Sequence, residues 1–170
     1  MKHAALVTLL VAVALFATLL WVENRLGLQG YRLGINPTYT EQSLTELIKA
    51  DRSSKIEADR LKPTLVVVPW LFPLDLLFLL FFGASLALCS LAFAGKLRVP
   101  PSRTGLLLVL PVAYMIADFS ENVLYSAMLT WPETIGSLID AEKWATRLKW
   151  LFVLPAMVQP WGAFALSWLR

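Results

Sequence analysis

The chain has one cysteine and one histidine, and this scarcity excludes most common catalytic and metal sites. Cys89 has no second cysteine with which to form an intrachain disulfide or a cysteine-based metal cluster. His3 stands at the N-terminus, ahead of the first apolar block. Di-iron bundles need Glu-x-x-His pairs on facing helices, haem commonly needs an axial histidine, and serine–histidine and zinc sites fail for the same reason. We therefore expect a protein that is not an enzyme, without metal or cofactor.

Charge is also scarce, and this excludes an ordinary soluble domain. Only 16% of the 170 residues are charged and 58% are hydrophobic, whereas a soluble domain has about 25% charged and about 45–50% apolar residues. The deficit leaves uncharged runs such as residues 4–22, which have no polar face to present to water. The composition predicts an integral membrane protein whose first partner is the lipid bilayer.

The excess of basic over acidic residues does not indicate nucleic-acid binding, although the net charge is +3 and the pI is about 9.2. The basic residues cluster at the ends of apolar blocks, where they flank lipid headgroups. No basic patch with interleaved aromatic residues lies outside these blocks. The glycines at 27, 30 and 34 do not follow a strand and do not match a phosphate-binding fingerprint. We expect no nucleic-acid partner and no bound nucleotide.

Four apolar blocks are each long enough to cross the hydrocarbon layer, which is about 30 Å thick. Proline is accepted in the first turn of a helix but not in its interior, so the second helix should begin near Pro73 and place Asp75 in its first turn. Together the blocks predict an all-α, four-helix bundle forming a single membrane domain, 1–170. The predicted helices are at about 4–22, 73–94, 105–129 and 149–169.

A polar segment, 23–63, separates the first two blocks and should lie outside the membrane. Its helical part begins near Thr40, with Ser43 and Glu46 spaced as a capping box. Leu44, Leu47 and Ile48 give this part a partial apolar face. We interpret the segment as an amphipathic helix. Two alternatives stay open: it docks a membrane-protein partner, or it lies solvated across the membrane surface.

The distribution of basic residues predicts the topology. The 95–103 loop holds Lys96, Arg98 and Arg103 and no acid, and the positive-inside rule places such a loop in the cytoplasm. Both termini are then cytoplasmic, while 23–63 and 130–148 are outside.

Polar residues interrupt the third block on one helical face. At about 100° per residue, the five polar residues between positions 114 and 125 fall within a wedge of roughly 100° on the helix. Ionisable groups at membrane depth cost about 2.5–3.5 kcal/mol each on insertion scales, so this stripe must face protein or water. It forms the candidate site, and its residues are Tyr114, Asp118, Glu121, Asn122 and Tyr125.

A second helix and several cations are expected to complete the site. Asp75 enters the membrane from the outer side, where the stripe also ends, so the two sets can meet in the outer half of the bundle. Its position equally suits a helix-start residue. Candidate countercharges lie at the outer helix ends: Arg25, Arg147 and Lys149.

Two functions compete for this polar cluster. In the first, the protein is structural or accessory, and the cluster fixes helix packing or binds a partner. In the second, Asp118 and Glu121 pass a proton or cation through a small carrier or channel, as intramembrane carboxylates do in proton relays. One four-helix protomer leaves little room for a path, so the second function needs a homo-oligomer.

Two short motifs carry a resemblance to a known group of proteins. They are Leu74-Asp75-Leu76-Leu77-Phe78, followed by Gly83-Ala84-Ser85-Leu86-Ala87, in the second block and Ala117-Asp118-Phe119-Ser120-Glu121-Asn122 in the third. The pair resembles a pattern in uncharacterised bacterial four-helix integral membrane proteins. The resemblance covers about a third of the chain and leaves out 23–63. It implies a multi-pass protein of the cytoplasmic (inner) membrane in which Asp75 and the 118–122 group are paired features, and it implies no activity.

Overall fold

The computed structural model of the chain describes residues 2–25, 40–53, 67–96 and 99–168. Within these ranges every regular element is helical, which confirms the prediction of an all-α chain. Five helices of three or more turns account for most of the described residues. They are α1 (Lys2–Arg25), α2 (Glu41–Ser53), α3 (Phe72–Lys96), α4 (Leu106–Thr130) and α5 (Ile135–Trp168).

Three helical stretches of the described chain are long and apolar enough to cross a membrane. They coincide with the first three predicted blocks and lie at His3–Arg25, Val68–Ala92 and Ser102–Thr130. The fourth predicted block, 149–169, forms the C-terminal part of α5 up to residue 168. Residue 169 lies outside the described residues, as do 26–39 and 54–63 of the polar segment.

The two prolines at the start of α3 occupy positions that a helix accepts. Pro69 lies in a π-helical turn, Val67–Leu71, and Pro73 lies in the first turn of α3. Asp75 is also in this first turn. The predicted start of this helix differs from the observed one by a single residue.

Helix α5 begins much earlier than predicted. It starts at Ile135 rather than near Lys149, so the predicted connection 130–148 is reduced to Trp131 and a 3-10 turn, Pro132–Thr134. The extra turns persist because side chains at 135, 139, 142 and 146 are all buried on one helical face. Packing of such a face stabilises a helix more than intrinsic propensity does.

Helix α2 is capped one turn earlier than the predicted capping box. The backbone N–H of Ser43 donates to Thr40 Oγ1 at 3.1 Å, and the N–H of Thr40 donates to Ser43 Oγ at 2.9 Å. Thr40 is therefore the N-cap residue and Ser43 its partner in the capping box. Ser43 cannot be the N-cap, because it already lies in the first turn of α2. Leu44 and Ile48 of the predicted apolar face are buried; the side chain of Leu47 lies outside the described part.

The helices pack around two apolar clusters, one on each side of the candidate site. Helix α1 packs on α3, α3 on α4 and α5, and α4 on α5. The first cluster joins α2 to the neighbouring ends of α1, α4 and α5 and includes Leu19, Leu44, Ile48, Met128 and Ile139. The second joins α3, α4 and α5 and includes Leu79, Leu86, Tyr114, Val153 and Ala156. Along α4 and α5 the polar residues lie between the two.

Gly83 allows α3 and α4 to approach closely. A Cβ added there would lie 2.4 Å from Met115 Sδ and 2.5 Å from its Cγ, so Met115 would have to move. We expect Gly83→Ala to lower the free energy of unfolding by about 1–3 kcal/mol, as overpacking does. The loss should be measured by chemical denaturation in micelles.

Gly105→Ala is the matched control for this substitution. A Cβ at Gly105 meets nothing within 4 Å, and the residue has helical dihedral angles. This change should be neutral or slightly stabilising, by up to about 1 kcal/mol. Gly83→Ala should cost less stability in a Met115→Ala background than in the wild type. If Gly83→Ala cost the same in both backgrounds, the steric explanation would be contradicted.

Candidate functional site

Lys149 of α5 is the cation that meets the two carboxylates of α4. Its Nζ lies 3.1 Å from Asp118 Oδ1 and 2.6 Å from Glu121 Oε2. Both acids are buried, each with 5% exposure. A buried charge needs a partner, because its desolvation is otherwise uncompensated. The ion pairs therefore tie α4 to α5 at the level of the predicted stripe.

The two other candidate countercharges lie elsewhere. The guanidinium of Arg147 lies over the Trp144 ring at 5.2 Å from its centroid, and that of Arg25 lies over the Trp21 ring at 5.7 Å. Both arginines are exposed. Arg147 is two residues from Lys149, a rotation of about 200° on a helix, so the two cannot point into the same site.

Two hydrogen bonds extend the cluster along α4 and across to α3. The hydroxyl of Tyr114 donates to Asp118 Oδ2 at 3.3 Å. The amide of Asn122 donates to Asp75 Oδ2, so the two predicted groups meet. Tyr125 packs against the first apolar cluster and lines the same cavity as the acids. The polar cluster thus joins three helices.

The polar cluster forms part of the wall of a cavity of about 580 Å³. Helices α1, α3, α4 and α5 all contribute to the lining. Apart from the cluster, Glu23, Ser126 and Glu142, the wall is apolar or aromatic. These side chains include Ala12, Phe16, Phe78, Phe82 and Val153. Small-molecule sites have volumes of roughly 300–1,000 Å³ with mostly apolar walls and a few polar groups. The cavity has the size and character of such a site.

The cavity is partly open, and its exposed lining residues show where. They belong to α1 and α5, and they include Val13, Phe16, Trp150 and Met157. All of these are apolar or aromatic. The opening between α1 and α5 therefore has a hydrophobic rim.

Glu142 is a residue of the site that the sequence analysis missed. Its side chain is fully buried and lines the cavity. Its Oε1 accepts a hydrogen bond from Thr146 Oγ1 at 3.4 Å, while its Oε2 has no hydrogen-bond partner among the described residues. The helical period could have revealed it, because Glu142, Thr146 and Lys149 follow an i, i+4, i+7 pattern. The assignment of 130–148 to a connection hid this pattern.

The environment of Glu142 favours its neutral form. Burial raises the pKa of this carboxyl from 4.5 to about 7, because desolvation disfavours the charged state. The hydrogen bond from Thr146 and the charges of Lys149 and Lys143 oppose this effect without cancelling it. Glu142 is therefore a group whose charge changes near neutral pH.

The lining combines charged and apolar groups that can bind a small molecule. The described lining holds five acids and one base: Glu23, Asp75, Asp118, Glu121, Glu142 and Lys149. No group of three histidine, cysteine or acidic side chains among the described residues is arranged to hold a metal ion. Ser120, the hydroxyl nearest the cluster in sequence, donates to the carbonyl of Ile116 at 2.8 Å. The arrangement can hold a positively charged or hydrogen-bond-donating group beside an apolar one.

Comparison of the chain with protein-family models, with curated proteins and with solved structures finds no match. The polar cluster and the cavity are consequently the basis for a functional proposal.

Proposed function

We propose that the chain is a multi-pass protein of the cytoplasmic membrane with a structural or accessory, non-catalytic role. Helices α1, α3, α4 and the C-terminal part of α5 form its membrane-embedded four-helix bundle, with both termini in the cytoplasm. Large apolar side chains on the outer surface support the embedding, since they would otherwise be exposed to water: Leu6, Leu10, Val109, Ile116 and Leu154.

The polar cluster supports a role in fixing helix packing. Lys149 contacts two buried carboxylates that lie one helical turn apart on α4. Sliding α5 along α4 by one turn would separate these charges inside an apolar bundle. Buried polar contacts of this kind are best attested as devices that set helix register. The Lys149 contacts are the single observation that carries the structural role.

Helix α2 is the part available to a partner in the accessory role. Its apolar residues Leu44 and Ile48 are buried against the bundle, so the chain itself covers these two side chains. Its other face exposes Gln42, Glu46 and Lys49. A membrane-protein partner would therefore dock on polar and charged side chains of 23–63.

Asp118→Asn tests the structural role. Asp118 contacts both Lys149 and Tyr114, so we expect the substitution to lower the free energy of unfolding by about 1–3 kcal/mol, as loss of a charged hydrogen-bond partner does. The measurement is denaturation in micelles. Asp140→Asn is the matched control, because Asp140 is exposed on α5, and it should leave stability unchanged.

The alternative is a small carrier or channel for a proton or cation, assembled as a homo-oligomer. The observation in its favour is that the open cavity reaches Asp118 and Glu121. This function predicts that Asp118→Asn abolishes proton or cation flux in liposomes while stability stays near that of the wild type. Absence of flux in liposomes that contain the wild-type protein would exclude the carrier. Unchanged stability together with unchanged flux in Asp118→Asn would exclude both roles.

A further inference from the structure

Glu142 is the part of the cavity that the described chain leaves incomplete. Its side chain is fully buried, it lines the cavity, and its Oε2 has no hydrogen-bond partner among the described residues. An unpartnered buried acceptor is destabilising, and native proteins usually satisfy such an atom with a protein group, a water or a ligand. When Glu142 is ionised, as it is at a mildly alkaline pH, its Oε2 is an acceptor, and its missing complement is a hydrogen-bond donor inside the cavity.

The charge of the lining selects a cationic donor. Lys149 is already engaged by Asp118 and Glu121, and Asp75 meets the neutral amide of Asn122. One base therefore serves several acids in the described lining. An ammonium group would add positive charge beside Glu142 and make charge-assisted hydrogen bonds, which are stronger than neutral ones. An anionic head would meet repulsion from the same acids.

The rest of the cavity wall favours a ligand that is apolar beyond its ammonium group. The apolar part of the lining comes mainly from α1, α3 and α5. The rim between α1 and α5 is also apolar and includes Val13 and Met157. If the bundle is embedded as proposed, this opening faces lipid, and a hydrophobic molecule can enter from the bilayer without crossing water.

We propose that the cavity binds a lipophilic primary amine, with its ammonium group donating to Glu142 Oε2 and its hydrocarbon body lying along α1 and α5. The inference rests on the proposed membrane placement. It extends the structural role, because the ion pairs of Lys149 hold the helices while the cavity beside them takes the ligand.

The test uses the purified full-length protein in neutral micelles at a mildly alkaline pH. The probes are n-dodecylamine, n-dodecanol and n-dodecanoate, which share a chain and differ in their heads. Binding is measured by calorimetric titration, and the number of molecules bound per chain by native mass spectrometry. We expect one molecule of the amine per chain, and an affinity for the alcohol and the carboxylate that is weaker by about tenfold or more.

Two pairs of variants locate the site. Glu142→Gln should weaken amine binding by about tenfold, whereas Glu133→Gln, which changes an exposed acid outside the cavity, should not. Val13→Trp places bulk at the rim and should block binding. Val7→Trp changes an equally exposed residue of α1 that does not line the cavity, and it should bind like the wild type.

Equal binding of the amine and the alcohol would overturn the proposal, as would equal effects of the two glutamate variants. If Glu142→Gln does not fold, the tryptophan pair decides: the proposal is overturned when both variants bind like the wild type. Membrane placement is tested separately by washing native membranes with alkaline carbonate. If the protein stays in the washed membranes but binds no amine, the ligand proposal alone is overturned. If the wash releases the protein, the proposed membrane placement is overturned.

Discussion

Replacing Lys149 with methionine is expected to lower the free energy of unfolding in micelles by about 3–5 kcal/mol, the usual cost of removing one partner of a buried ion pair. The lysine contacts both Asp118 and Glu121, each of which is buried. Its removal leaves two carboxylates close together without an ion-pair partner in the part of the chain that the structure describes. Methionine keeps the unbranched stem, so the expected loss arises from charge and not from packing. Chemical denaturation followed by circular dichroism measures it.

Arg147→Met is the matched control for this substitution. Arg147 is exposed and lies over the Trp144 ring, so its loss should cost less than about 1 kcal/mol. Combining Lys149→Met with Asp118→Asn and Glu121→Gln removes the unpaired charges and should recover much of the stability. If the loss of stability in the triple variant equalled the sum of the losses in the three single variants, Lys149 would not be acting through these carboxylates.

Glu142 should make the protein less stable as pH rises from about 4.5 to about 7. In this window the unfolded chain has released the proton, while the folded chain, whose pKa at Glu142 is raised to about 7, still holds it. Unfolding then releases a proton, so the free energy of unfolding falls with pH. The decrease should reach on the order of 3 kcal/mol above pH 7, from the size of the shift. Below pH 4.5 both states are protonated and the effect vanishes.

Glu142→Gln isolates this contribution. The variant keeps the shape and cannot ionise, so above pH 7 it should be more stable than the wild type, and the two stability curves should converge toward pH 4.5. Taking the difference between them cancels the other groups that face or share the cavity, which are Lys143 and Lys149 on α5, Glu23 on α1, Asp75 on α3, and Asp118 and Glu121 on α4. Glu133→Gln should reproduce the wild-type profile. A constant difference across pH would show that Glu142 does not change its charge.

The helices and the polar face of α4 could be read from the sequence because both depend on local pattern. The lengths of uncharged runs gave the approximate bounds of α1, α3 and α4, and the rule for prolines placed the start of α3 near Pro73. The 3.6-residue period put Asp118, Glu121 and Asn122 on one face. The predicted cap of α2 was wrong for a local reason: Thr40 and Ser43 bind each other's backbone N–H groups, so the cap lies at Thr40 and not at Ser43. The predicted start of α5 was wrong because it depends on packing: the burial of Ile135 and Ile139 extends the helix.

The sequence by itself determined that this chain is helical, largely apolar, and interrupted by a face of carboxylates that needs a countercharge. Only the tertiary structure decided which cation supplies it. Lys149, Arg147 and Arg25 have the same sign and were all predicted to lie at helix ends. The rotation of α5 against α4 turns Lys149, and not Arg147, toward the acids. The same rotation brings Glu142 to the cavity. Periodicity describes one helix at a time, whereas a pocket depends on how several helices are rotated and spaced around it.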